Sequence, residues 1–353
     1  NVYDSERIME SLDKQGFTET KNSDESDIII FNTCHIREKA AEKLYSDIGR
    51  LKNQSSTKKV IVAGCVAQAE DSEIIRRMPE VDMVIGPQTY HKLPDFVSRL
   101  DKKKKFIETD FPAENKFNLL TKRKRLDKKP TAYLTIQEGC DKFCTFCVVP
   151  YTRGAEYSRT TAELLEEAKS LVDQGVVELT LLGQNVNAYH GESMTGGTSN
   201  LADLIYELSK IVGIKRLRYT TNHPNDVNNE LIHAHRDIEK LMPYIHLPIQ
   251  SGSNKILKAM NRKHTVEKYI ETIDKIRLAK KGIAISSDFI VGFPGESDKD
   301  FEYTFDLIKQ IGFAQAFSFN YSPRPGTPSA DYDTQIPKSL KDERLHRLQQ
   351  LLK

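Results

Sequence analysis

Short runs of apolar residues alternate along the chain with stretches whose apolar positions recur every three or four residues. Near the start, "DIIIFNTC" from Asp27, "KKVIVAGC" from Lys58 and "VDMVIG" from Val81 are apolar on both faces. Strands of that kind are buried from both sides, as in parallel sheets. Asp4 to Gly16 has helical spacing, with Ile8, Met9 and Leu12 on one side and Gly16 as a stop. Helical patterns also fill His35 to Lys52, Val66 to Arg77 and Tyr90 to Leu100. Strand and helix in alternation predict an α/β domain, a doubly wound parallel sheet. No strand precedes the first helix, so a leading strand with its loop is expected to be missing from the chain as written.

From Thr131 the alternation resumes with a period in the thirties. The predicted strands are 131–137, 176–183, 214–221, 244–250, 283–292 and 315–321, with helices such as Ala162–Gln174, Leu201–Val212 and Val266–Lys281 between them. Six such units predict a (βα)6 partial barrel, whose chemistry sits on the loops after the strands. The expected division is an N-terminal domain at 1–120, a basic linker at 121–130 and the barrel at 131–353.

Composition narrows the class. At 38% hydrophobic and 29% charged residues the chain reads as a soluble globular protein. No run reaches the length of a membrane helix and no secretory signal opens the chain. Five cysteines is an odd number, and their spacing does not suit a secreted disulfide framework, which predicts a cytoplasmic location. Net charge is only +2, but Lys102–Lys105 and "TKRKRLDKK" at 121–129 concentrate basic residues. Such runs serve as solvated tethers or as phosphate contacts.

Cys140, Cys144 and Cys147 fall within eight residues, spaced C-x3-C-x2-C, directly after the first barrel strand. Zinc needs a fourth ligand, and the nearest histidine in sequence is His190. A redox dithiol needs two thiols, not three. A 4Fe-4S cluster held by three thiolates leaves one iron open for a substrate or cofactor. Zinc, or chance spacing, remains the alternative. Cys34 and Cys65 each end a strand of the first domain, where ligands gather in such sheets. Small buried apolar residues are the other reading of both.

The triplet on the first loop of a βα barrel resembles the signature of radical S-adenosylmethionine enzymes. "CDKFCTFCVVPYTRGAEYSR", "LLGQNVNAY", "HLPIQSGSNKILKAMNRKH", "DFIVGFPGES" and "YSPRPGTPSA", in that order, resemble the methylthiotransferase branch, and "NTCHIREKA" with "AGCVAQ" resembles its N-terminal domain. "HIREKA" and "VVPYTRG" are similar to the MiaB type, which modifies tRNA, rather than the RimO type, which modifies a ribosomal protein.

The resemblance implies that Cys140, Cys144 and Cys147 bind the radical cluster, whose open iron takes the amino and carboxylate groups of S-adenosylmethionine. It implies that Phe146 offers its backbone to the adenine and that Gly183, Gln184 and Asn185 meet the cofactor's amino group. His246 and Gln250 would line the same cavity, or satisfy loop backbone groups instead. Gly292 and Gly295 would shape a turn beside the cofactor. Arg153 and Arg159 would meet cofactor carboxylate or RNA phosphate, or form salt bridges with Glu156 or a barrel carboxylate.

The family also implies a second, auxiliary 4Fe-4S cluster on three cysteines of the N-terminal domain. Cys34 and Cys65 would be two of them, with the third expected before Asn1. A C-terminal RNA-binding TRAM domain is expected as well and is absent from this sequence, so the chain reads as a fragment. The implied activity is methylthiolation at carbon 2 of N6-isopentenyladenosine beside the tRNA anticodon, with a flavodoxin or ferredoxin as electron donor. The alternatives are a threonylcarbamoylated adenosine, a ribosomal protein side chain, or a non-catalytic metal–RNA binding module.

Overall fold

The computed structural model describes residues 2–34, 38–52, 58–98, 105–112, 115–120 and 123–352. They form two units: Asn1–Lys128 with Val148–Gly154, and Lys129–Cys147 with Ala155–Lys353.

In the first unit, four parallel strands lie in the order β1 (Ile28–Thr33), β2 (Lys59–Gly64), β3 (Met83–Ile85) and β4 (Phe106–Glu108). The helices are α1 (Val2–Asp13), α2 (Glu38–Lys52), α3 (Cys65–Glu70), α4 (Ser72–Arg77), α5 (Leu93–Ser98), α6 (Lys116–Leu119) and α7 (Val149–Arg153). Strand β2 shows why its residues are apolar throughout. Ile61 and Ala63 face Ile8, Leu12, Leu93 and Val97 of α1 and α5. Val60 and Val62 face Leu44, Ile48, Val66 and Ile74 of α2, α3 and α4. Both faces of the sheet are covered, as the apolar runs predict.

Three elements there differ from the expected ones. Val66–Arg77 is not one helix: the backbone turns at Asp71, with φ +47°, between α3 and α4. Strand β4 and helix α6 lie where no element was predicted, because three half-exposed residues after a lysine run carry almost no periodic signal.

The second unit holds β5 (Thr131–Thr135), β6 (Gln137–Glu138), β7 (Tyr157–Ser158), β8 (Glu178–Leu182), β9 (Arg216–Tyr219), β10 (Tyr244–His246), β11 (Ala284–Val291) and β12 (Gln315–Asn320). Strands β5-β8-β9 and β10-β11-β12 form two parallel sheets, linked by a parallel bridge from Leu217 to Leu241. The six predicted strands are therefore present, in sequential order. Strands β6 and β7 add a small antiparallel clip beside the cysteine loop. The helices are α8 (Thr161–Asp173), α9 (Leu201–Ser209), α10 (Asn229–Asp237), α11 (Asn254–Ala259), α12 (Val266–Ala279), α13 (Asp298–Ile311) and α14 (Lys338–Leu351). Their starts are fixed locally. Thr160, Asn200 and Ser297 each make a reciprocal capping box with the acidic residue three positions on. One continuous core joins strand residues such as Leu134, Leu181, Leu217 and Ile285 to the inner faces of these helices. Because all six strands run the same way, their C-terminal loops share one end of the sheet.

Candidate active site

That end is built around Gln137, a fully buried residue just beyond β5. Its Oε1 accepts from the backbone N–H groups of Gln184 (2.9 Å) and Asn185 (3.1 Å), and its Nε2 donates to Gly139 O at 2.8 Å. Gln184 returns the link, with its Oε1 accepting from Gly139 N at 2.8 Å. The segment entering the cysteine loop is thus laced to the loop after β8. Gly183 is required for this packing, since a Cβ there would lie 2.4 Å from Gln137 Oε1.

The loop is held from other sides too. Lys142 Nζ donates to Asp226 Oδ1 (2.7 Å), and Asn185 Nδ2 donates to Asp226 Oδ2 (2.8 Å). Asn261, just past α11, donates to the carbonyls of Phe143 (2.9 Å) and Lys142 (3.3 Å). Thr145 O accepts from both the N–H and the hydroxyl of Ser329, which lies in the segment after β12. Phe146 packs against Ile256, Met260, Phe293 and Tyr321. Each quoted motif of the barrel therefore contributes a tie to the same loop.

Cys144 is buried, while Cys140 and Cys147 are half-buried. Cys147 N donates to Cys144 O at 2.9 Å. Burial pushes the Cys140 thiol up to about 11, with the neighbouring Cys144 and Glu156 adding to the rise and a backbone hydrogen bond opposing it. A metal binding there displaces that proton. Arg262, only 5% exposed, directs Nη1 at Cys144 Sγ (3.5 Å) and Nη2 at Pro248 O (2.5 Å). Three soft thiols with a cation beside them suit an iron–sulfur cluster. Among the described residues no three His, Cys, Asp or Glu side chains are grouped to hold a single metal ion. By donor type, three free thiols on one loop fit the ligand set of such a cluster.

His246 ends β10, with Nδ1 at 2.8 Å from Ser286 Oγ and Nε2 at 3.4 Å from Asp288 Oδ2. Phe317 meets its ring edge-on. Gln250 pairs with β11 through Asp288 O and Ile290 N, with φ +80°. Asn185 Oδ1 is buried without a hydrogen-bond partner, leaving an acceptor at the site. Gly292 and Gly295 have φ of +69° and +79°, so both turn the loop after β11.

Both arginines singled out from the sequence are buried and paired, Arg159 with a barrel carboxylate and Arg153 with an acid of the first unit, neither with Glu156. Arg153 belongs to the first unit, where Nη2 donates to Asp4 Oδ2 at 2.6 Å. Arg159 Nη1 donates to Glu167 Oε2 (2.8 Å) and Thr135 O (3.0 Å). Glu156 instead meets His190 at 3.2 Å, and burial raises its carboxyl to about 6. The basic linker is likewise less exposed than its sequence suggests. Arg123 is buried against Glu6, Glu10 and the Tyr3 ring, and Arg125 pairs with Asp127. Lys124 is exposed, while Lys122 and Lys102–Lys104 lie outside the described residues.

Cys34 directly follows β1, and Cys65 follows β2 as the first residue of α3. Parallel pairing sets Thr33 opposite Gly64, so the two cysteines occupy equivalent ends of adjacent strands. A Cβ on Gly64 would meet Asn32 Oδ1 at 2.5 Å and Thr33 O at 2.6 Å. Only glycine allows the strands to close up there.

Gln137, Asp226, Asn261, Arg262 and Asp288 went unnoticed in the sequence. The available signal for Gln137 was a lone polar residue at the C-terminal end of an apolar strand. Arg262 offered none beyond its place in a quoted motif.

Residues 134–308 match the Radical SAM superfamily, and residues 1–86 match Uncharacterized protein family UPF0004. In fold, the chain resembles the cobalamin- and cluster-bound radical S-adenosylmethionine methyltransferase TsrM of Kitasatospora setae. That likeness has a TM-score of 0.68 at 14% identity, over 93% of this chain and 74% of that one. It also resembles the cobalamin-dependent radical enzyme OxsB, at TM-score 0.60 and 14% identity over 99% of this chain and 53% of that one. A curated relative from Roseobacter denitrificans, named tRNA-2-methylthio-N(6)-dimethylallyladenosine synthase, is 56% identical over 355 aligned residues, covering 100% of this chain and 80% of its own length. Identity at that level across both units shows that this chain belongs to the MiaB-type family of radical S-adenosylmethionine methylthiotransferases.

Proposed function

We propose that the chain acts on tRNA, adding a methylthio group at carbon 2 of N6-isopentenyladenosine beside the anticodon. The observation that carries this reading is the whole-length identity to a synthase of that name, joined to three thiols held on one loop. A 4Fe-4S cluster with S-adenosylmethionine supplies the radical needed to remove an unactivated aromatic hydrogen, which no side-chain acid or base can do.

The chain's own residues hold and orient. Cys140, Cys144 and Cys147 are the ligands, and Gln137, Gln184 and Asn261 fix their loop. Asn185, with its unpartnered buried Oδ1, would accept from the cofactor's amino group, and Phe146 would offer its backbone to the adenine. His246 and Gln250, both bonded to Asp288, would line the cofactor's cavity. Cys34 and Cys65 would be two of the thiolate ligands of an auxiliary cluster, a source of sulfur, with the third ligand expected before Asn1. Arg153 and Arg159 act through their buried carboxylate partners, shaping the units rather than gripping RNA. The electron donor is a flavodoxin or ferredoxin and the setting cytoplasmic; no helix among the described residues is long and apolar enough to cross a membrane.

Anaerobic reduction with S-adenosylmethionine should release 5′-deoxyadenosine, and nucleosides from deletion cells should lack the 2-methylthio group on isopentenyladenosine alone. Loss from threonylcarbamoyladenosine, or from a ribosomal protein, would move the assignment to the corresponding relative. A protein that binds metal and RNA but cleaves no cofactor would overturn it.

A further inference from the structure

Arg262 lies between two residues in left-handed backbone conformation, Asn261 (φ +57°) and Lys263 (φ +56°). That kinked turn carries its side chain inward, to 5% exposure. Among the described residues no carboxylate pairs with the guanidinium, and Nε has no hydrogen-bond partner. Its polar contacts are Pro248 O and the sulfur of Cys144. A buried cation lacking a counter-ion is costly, by several kcal/mol, unless a negative charge arrives beside it.

Among the described residues, the neighbouring basic groups do not fill that role. Lys142 is neutralised by Asp226. Burial holds His264 down at about 4 and His223 lower still, with Arg262 adding to both shifts, so both rings stay neutral at physiological pH. Among the described residues Arg262 is therefore a buried, fixed positive charge at the cysteine loop that no ion pair offsets.

We infer that Arg262 is a positioning residue whose guanidinium serves as the counter-charge of the cluster held by Cys140, Cys144 and Cys147, favouring its one-electron reduction. The inference rests on the proposed cluster ligands. A four-iron cluster on three thiolates is anionic and gains a further negative charge when it accepts an electron; no bond or proton moves. Net charge and hydrogen bonds to sulfur both set the potential of such clusters. A donor on Cys144 Sγ contributes through both.

The test uses the full chain, Arg262→Gln and Arg262→Lys, reconstituted anaerobically and titrated with dithionite while the reduced cluster's EPR signal is followed. Arg262→Gln should keep its iron but lose at least tenfold in the reduction equilibrium constant, about 59 mV for one electron. Arg262→Lys should stay within threefold of the parent. Equal losses in both variants, or no loss in the glutamine variant, would overturn the inference. If Arg262→Gln fails to fold, Arg262→Met supplies the neutral variant. Thermal unfolding of cluster-free protein gives a second reading. Removing an uncompensated buried charge should leave Tm equal or higher, whereas a merely structural arginine would lower it by several degrees. Iron retained by Cys140→Ala at the parent's level would point to the cluster assignment itself rather than to Arg262.

Discussion

Replacing Gly183 with alanine should unpick the join between the cysteine loop and the strand β8 loop. The new Cβ would sit 2.4 Å from Gln137 Oε1 and 3.0 Å from Gln137 O, well inside contact distance. The side-chain amide can retreat only by giving up its bonds to Gln184 N, Asn185 N and Gly139 O. Each buried hydrogen bond is worth about 1 kcal/mol net, so the loss is about 3 kcal/mol. For a domain of 150–250 residues that lowers Tm by roughly 6–12 °C. Urea unfolding followed by circular dichroism reads the first figure, and a thermal scan the second. Because Gly139 immediately precedes Cys140, cofactor cleavage should fall more than iron content does. Gln137→Ala removes the same three bonds, so the double variant should cost no more than the larger single one. A loss below 1 kcal/mol, or full additivity of the pair, would refute the reasoning.

Other outcomes follow from the same contacts. Cys144→Ala should abolish 5′-deoxyadenosine formation while leaving circular dichroism unchanged, because the thiol sits on a loop rather than in a strand. Asp4→Asn should destabilise the first unit by about 3 kcal/mol in urea, since it strands buried Arg153; the carboxyl, pushed up by burial, is brought down to about 2 by Arg153 and Lys116. Arg153→Gln should leave the salt slope of tRNA binding unchanged, because Arg153 is paired internally. Burial lowers His235 to about 4 from an ordinary 6.5, with Lys280 adding to it. The unfolded chain takes up that proton below about pH 6.5 and the folded chain only near 4, so stability falls as pH drops through this window, by up to about 3 kcal/mol. His235→Gln should remove that share of the acid sensitivity, measured by urea unfolding between pH 7.5 and 4.5; an unaltered pH profile would count against it.

The strands were legible because each is short, apolar and bounded by turn residues, a pattern that burial on two faces enforces. The cysteine triplet was legible because its spacing carries the chemistry directly. What escaped was determined by tertiary partners. Nothing in a local pattern such as "RTTAEL" around a charged residue says whether it meets water or an acid, yet Arg123 and Arg153 are buried on carboxylates far along the chain and Arg159 on Glu167, eight residues on. Asp71 interrupts two helices that share one apolar face, so periodicity ran straight through it. Gln137 and Arg262 act through single contacts to backbone and sulfur, which leave no trace in periodicity or composition.

Among the described residues, six that are not glycine adopt positive φ, and five of them, Phe143, Thr221, Gln250, Asn261 and Lys263, lie in the loops after the barrel strands or just past α11. Each such conformation costs about 1 kcal/mol or more. Selection for heat resistance alone would therefore find easy gains by placing glycine at these positions, and would do so by loosening the turns that aim Arg262 and the cysteine loop. Thermostable variants of this protein should be sought on the outer helices instead, where rigidity and catalysis do not compete for the same backbone.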